Sequence, residues 1–164
     1  TGVITIGQIL GMAAHLEGKG VSVLDMSGLA QKYGAVMSHV KIAPDPADVH
    51  VARLGTGDAG LVIGCDLVVT ASADALDKMQ PGGTRALVNA TTAPTAAFVK
   101  TPDWRLPGSD LQRDVSDASA TAEFVPAAEI ATALMGDSIA TNMLVLGYAC
   151  QKGWVPLAHA SIER

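Results

Sequence analysis

The chain has 164 residues, 49% of them hydrophobic and only 16% charged, a single-domain length with a well-filled core, which excludes a disordered or fibrous polypeptide. Aromatic residues make up 4%, so valine, leucine, isoleucine, methionine and alanine must fill that core, as suits helices packed closely on a parallel-type sheet. A formal net charge of −5 with no basic run excludes nucleic acid as the main partner, and no stretch approaches the roughly 20 apolar residues of a membrane span.

In chain order, Ile6, Ile9, Leu10, Ala13 and Ala14 recur at three- and four-residue spacing and predict a first helix, stopped by Gly18 and Gly20. Gly7 and Gly11 lie on one side of it, a spacing that lets a helix approach a sheet closely. Thr1 and Gly2 read as serving tight helix-to-sheet packing, with the remnant of an anion-binding glycine loop at that helix's N-terminus as the alternative. Strands are expected at Val21 to Met26, Val36 to Ile42, Val49 to Leu54, Leu67 to Thr70 and Arg85 to Asn89, with a helix from Ala73 to Met79 capped by Ser72.

From Thr91 to Ala120 the pattern loosens around Pro94, Pro102 and Pro107, with one short helix at Leu111 to Ala118. Pro126 opens a helix that Gly136 ends, and the last long helix is expected from Asp137 to Lys152, with Ile139, Met143, Leu146 and Cys150 as its apolar stripe and Gly153 as its stop. Strands alternating with helices imply an α/β fold, a three-layer α/β/α sandwich with a mostly parallel sheet, as one domain over 1–164. The chain starts without methionine and stops inside a helical pattern, so it is expected to be a piece of a longer protein.

The run DMSGLAQKYGAVMSHVKIA, Asp25 to Ala43, holds more polar detail than a strand and turn require. It resembles the D-M-[ST]-G-L-A-Q-K-x-G-A-V-x-S-H-V pattern of the gamma-type domain of 2-oxoacid:ferredoxin oxidoreductases, closest to the fused bacterial indolepyruvate:ferredoxin oxidoreductases. Tyr33 departs from the glycine that many members carry. The resemblance continues through ADVHVARLGTGDAGLVIGCDLVVTAS, Ala47 to Ser72, and LMGDSIATNMLVLGYACQKGWVPLAHASIER, Leu134 to Arg164.

The resemblance implies a fold like domain III of pyruvate:ferredoxin oxidoreductase and a part in an enzyme that converts a 2-oxo acid, coenzyme A and oxidised ferredoxin to acyl-CoA, carbon dioxide and reduced ferredoxin. Thiamine diphosphate, magnesium and [4Fe–4S] clusters of that enzyme are expected on partner domains or subunits, because two cysteines cannot supply four thiolates. No cofactor is expected on this domain itself. Ferredoxin is the implied partner of the holoenzyme, the cytoplasm the implied compartment, and a homodimer is conceivable for the isolated domain. Asp25, Ser27, Gly28, Gln31, Ser38 and His39 are the candidates for lining a partner's active site or the approach of substrate.

Other constellations have plainer readings. Gly55 to Gly60 spells G-x-G-x-x-G, with Asp77 near the acid spacing of a dinucleotide site, but the LVIGCDLVVT that follows reads as strand, so a turn is expected there. A free-standing NAD- or FAD-binding oxidoreductase domain and a ligand-free scaffold are the rival functions. Gly136-Asp137 with Asn142 is similar to the Gly-Asp and Asn elements of thiamine sites, at far too short a spacing. Asp137 is therefore expected to cap a helix, and Asn142 to be structural or at an interface. His15, His39, His50 and His159 show no metal-ligand spacing, and Cys65 and Cys150 are read as reduced core residues.

Overall fold

The computed structural model describes residues 2–27, 35–91 and 108–164. They form two compact units, Thr1–Gly55 with Leu146–Arg164, and Thr56–Val145.

The first unit opens with α1, Gly2–Leu16, whose Ile6, Gly7, Leu10, Ala13 and Ala14 form the buried stripe that the spacing predicts. Burying the two large side chains of that stripe contributes about 1.5–3 kcal/mol each. Gly18, with φ 69°, ends the helix in the left-handed conformation that glycine adopts without steric cost. The chain then reverses into β1, Gly20–Ser27, which pairs antiparallel with β2, Val36–Ala43.

The two α1 glycines explain how the helix lies on this hairpin. A Cβ on Gly7 would stand 3.1 Å from a Val23 methyl and 3.6 Å from Ser38 Cβ, and one on Gly11 would stand 3.1 Å from the other Val23 methyl. Close packing is thus what Gly7 and Gly11 provide. Helix α1 runs back along β1, and its first turn lies toward the Asp25–Ser27 end of the hairpin. A 3₁₀ turn follows at Pro46–Asp48, capped by Asp45. The loop crosses so close to Gly20 that a Cβ there would meet Asp45 O at 2.5 Å.

The C-terminal segment is tied to the end of α1. Lys19 Nζ donates to Pro156 O at 2.7 Å, and Ala158 N–H donates to Glu17 Oε1 at 2.7 Å. Lys19 also pairs with Glu17 at 2.8 Å, and these bonds hold the Glu17 carboxyl below its ordinary pKa. A last short helix, His159–Ile162, packs on α1.

The second unit is built on a parallel sheet, in the order β3 (Leu61–Gly64), β4 (Arg85–Asn89) and β5 (Thr121–Val125). Between β3 and β4 lie two short helices, α2 at Leu67–Thr70 and α3 at Ala73–Leu76, and α4, Gly108–Asp117, precedes β5. Helix α5 is Ala127–Met135, and a 3₁₀ turn at Ser138–Ala140 leads into α6, Thr141–Gln151. The core is Leu67, Met79, Ala86, Val88 and Val115, with Val62, Leu111, Ala122 and Phe124 packed around it. Helix α4 presents Leu111 and Val115 to this cluster, one turn apart on one face, and Ala118 just past its end packs there too.

The α/β class and the parallel sheet agree with the sequence, but several elements differ. Leu67–Thr70 is helical because Asp66 caps it, its carboxylate accepting from Val69 N–H at 3.0 Å. The apolar run therefore contributes its strand earlier, at Leu61–Gly64, while Val49–Leu54 forms no strand. A short continuous apolar run fits helix or strand equally, and here the cap decides. Residues 121–125 supply a strand that the sequence pattern leaves unassigned. The first two strands pair antiparallel and form a two-stranded sheet of their own. On α6 the buried residues are Thr141, Val145, Leu146 and Ala149, whereas Ile139 and Met143 of the expected stripe are exposed.

Candidate functional site

Asp25, Ser27 and Ser38 of the Asp25 to Ala43 run lie at one end of the hairpin. Asp25 stands opposite Ser38 in the ladder, and the Ser38 hydroxyl donates to the Asp25 carboxylate in a charge-assisted bond. Asp25 and Ser27 are exposed and Ser38 is half-buried beneath α1. Ser27 pairs with Val36 and ends the strand. Gly28 and Gln31 of the same motif, and Thr1, lie outside the described residues, while Gly2 is the first residue of α1.

His39 does not line this surface. It points to the sheet face opposite Ser38, is 1% exposed, and accepts the backbone N–H of Leu54 at its Nδ1, 2.9 Å away. That bond fixes the tautomer with hydrogen on Nε2, which lies 3.2 Å from Met37 Sδ. The ring therefore ties the loop ending at Leu54 to β2 and is a structural group. Strand alternation separates His39 from Ser38, and the burial of His39 comes from a loop fifteen residues on that no periodicity signals.

The Gly55 to Gly60 segment is a turn. Gly57 takes φ 69°, and β3 rather than a helix follows, so no helix N-terminus faces a pyrophosphate. Asp77 is consumed in holding the turn: its carboxylate accepts from Thr56 Oγ1 at 3.0 Å and pairs with Lys78 at 2.6 Å, and its carbonyl accepts from Gly57 N–H at 2.9 Å.

The carboxyl ends of parallel strands are the usual ligand crevice of such sheets. Here Asn89, the last residue of β4, closes that end. Its Oδ1 accepts from Thr91, Ala127 and Ala128 N–H at 3.2, 3.1 and 3.3 Å, and its amide donates to Cys65 O at 3.3 Å. Asn89 thus caps α5 from a neighbouring strand, taking the place of a side-chain cap that Pro126 cannot give. Sequence reasoning missed this residue, since an asparagine ending a strand carries no signal for a helix that begins 38 residues later.

Asp137 accepts from Ile139 N–H at 3.0 Å and caps the 3₁₀ turn rather than the last long helix, which starts at Thr141, and Asn142 is half-buried in the first turn of α6. Burial pushes the Cys65 thiol up to about 11, and Cys150 is also raised by burial, the reverse of what a cluster-ligating thiolate needs. Among the described residues no group of three or more His, Cys, Asp or Glu is placed to hold a metal ion.

These features define an α/β module with a parallel three-stranded sheet, in which buried His39, Thr84 and Asn89 hold its own loops while Asp25 and Ser27 are exposed at one hairpin end. The whole chain, residues 1–164, matches the family described as pyruvate ferredoxin/flavodoxin oxidoreductase, and it belongs to that family. It is similar to indolepyruvate oxidoreductase subunit IorB of Methanothermobacter thermautotrophicus, 25% identical over 161 residues that cover 98% of this chain and 78% of that protein. It also resembles in fold the crystal structure of pyruvate oxidoreductase subunit PORC of Thermotoga maritima. There the TM-score is 0.59 at 21% identity, covering 99% of this chain and 75% of the other. The resemblance to the gamma-type domain of 2-oxoacid:ferredoxin oxidoreductases is thereby borne out.

Proposed function

We propose that the chain is the gamma-type component of a 2-oxoacid:ferredoxin oxidoreductase acting on indolepyruvate or a related arylpyruvate, with thiamine diphosphate, magnesium and the iron–sulfur clusters on partner domains or subunits. The family match across all 164 residues carries this reading. Two further observations support it. The similar proteins are themselves named as oxidoreductase subunits, and the thiamine-like and dinucleotide-like segments of this chain are occupied by their own caps and turns.

In this reading the Asp25, Ser27 and Ser38 end of the hairpin faces the partner's substrate or coenzyme A approach. The Ser38 hydroxyl holds the Asp25 carboxylate on its α1-facing side, and the carboxylate's remaining acceptor positions are exposed. Such a group accepts hydrogen bonds from an incoming amide or from a partner loop. The chain supplies positioning while the decarboxylation and electron export occur elsewhere.

Co-expression with the rest of the enzyme tests this directly. The complex is expected to reduce a low-potential viologen dye with an arylpyruvate and coenzyme A, and to lose that activity when this chain is omitted. Pyruvate preferred over arylpyruvates would overturn the substrate class, and reduction of NAD by this chain alone would overturn the whole assignment.

A further inference from the structure

Asp25 and Ser38 stand opposite each other on the side of the hairpin that α1 covers, with Val23 two residues before Asp25 on the same side. The residue of α1 that lies over Ser38 is Gly7. A Cβ there would stand 3.6 Å from both Ser38 Cβ and Ser38 Oγ, and 3.1 Å from Val23 Cγ1. Gly7 is buried, so helix backbone covers the serine from this side.

Ser38 donates to Asp25 from beneath this contact. A serine hydroxyl turns among three staggered wells, and a helix backbone packed against it restricts that turning. How closely α1 descends therefore bears on whether the hydroxyl stays on the carboxylate. Gly11, one turn along, supplies the contrast. A Cβ there would also stand 3.1 Å from a Val23 methyl, but no atom of Ser38 lies within 4 Å of it. Two glycines of one helix thus approach the same valine, and only one reaches the polar pair.

Building on the hairpin-end reading above, we propose that Gly7 is a positioning residue for Asp25. Its missing side chain lets α1 seat against Ser38, and the seated hydroxyl occupies one acceptor position of the Asp25 carboxylate. The remaining acceptor positions are thereby held in one direction toward the incoming group. Packing on Val23 alone would make Gly7 and Gly11 equivalent, whereas a seat for Ser38 makes them different.

The test compares Gly7→Ala with Gly11→Ala in the full-length protein, both free and assembled with the remaining components of the enzyme. Both methyls crowd Val23 at 3.1 Å, so both are expected to shift Tm alike. In NMR spectra of the free chain, the Asp25 carboxyl carbon resonance is assigned by its loss in Asp25→Asn. It is expected to move in Gly7→Ala toward its position in Ser38→Ala, and to stay in place in Gly11→Ala. In the assembled enzyme Gly7→Ala is expected to lower turnover about 3- to 10-fold, as a small misplacement of a positioned group does, with Gly11→Ala at the wild-type rate. Added to Asp25→Asn, Gly7→Ala is expected to cost nothing further, because both act through one carboxylate. Equal movement of the resonance in the two alanine variants, or none in either, would overturn the positioning role. So would an undiminished Gly7→Ala penalty in the Asp25→Asn background. Wild-type turnover in both Asp25→Asn and Ser38→Ala would instead sink the hairpin-end reading, since the resonance shifts test the contact of Gly7, Ser38 and Asp25 independently of activity.

Discussion

At the scale of single residues, the hydrogen-bonding partner decides what each polar side chain is for. Asp25 has one acceptor position held by Ser38 and is otherwise exposed, so Asp25→Asn within the assembled enzyme is expected to lower turnover about 10-fold, the worth of one charge-assisted bond. The Tm of the free chain should stay near wild type. His39 should behave in the opposite way, because His39→Ala leaves the Leu54 N–H unpaired and a large buried side chain deleted. A loss of about 2–4 kcal/mol in urea unfolding is expected.

Cys65 makes the third residue-scale prediction. Its thiol binds its proton more tightly in the folded chain than at its ordinary value of 9.0, being pushed up to about 11. That contribution is therefore present below about pH 9 and is lost as pH rises through about 11, worth about 2–3 kcal/mol in all. Iodoacetamide at pH 8 should accordingly modify Cys65 slowly in the native chain and fast in urea. Equal rates in the two states would remove burial as the cause.

At the scale of elements, caps and glycines choose between structures that apolar patterning leaves open. Helix α1, β1, β2 and β4 were readable because their apolar spacing is regular and glycine or polar residues bound them. The helix at Leu67–Thr70 was read as strand because three β-favouring residues in a row outweigh one aspartate on paper, whereas in the fold the Asp66 cap and the Thr70 hydroxyl bond to Asp66 O decide it. The hairpin end was legible as polar, but the division of Ser38 from His39 across two faces needed α1 on one side and Leu54 on the other. Neither contact is local in sequence, and Asn89 stayed hidden for the same reason.

One element-scale test follows from Thr84. Its hydroxyl, fully buried, donates to Ala59 O at 2.6 Å and accepts from Gln80 N–H at 2.7 Å, joining the turn before β3 to the loop before β4. Thr84→Val preserves shape and strands both groups, so a loss of about 1–3 kcal/mol is expected. Thr84→Ser, which keeps the hydroxyl, should recover most of it.

At the scale of the whole molecule, the chain is an α/β member of the pyruvate ferredoxin/flavodoxin oxidoreductase family. One hairpin end in the first unit carries hydrogen-bonding groups, and the Leu134 to Met143 stretch of the second carries apolar ones. No helix among the described residues is long and apolar enough to cross a membrane. The resemblance in the Asp25 to Ala43 run pointed to the family at once, since the run holds residue choices that neither strand pairing nor burial requires. It gave no warning that His39 belongs to the fold.

The most direct test of the central claim is arylpyruvate- and coenzyme A-dependent viologen reduction by the assembled enzyme, with and without this chain. Activity that appears only when the chain is present, with the chain inert by itself, is the predicted result. Full activity from the remaining components in its absence would contradict the account.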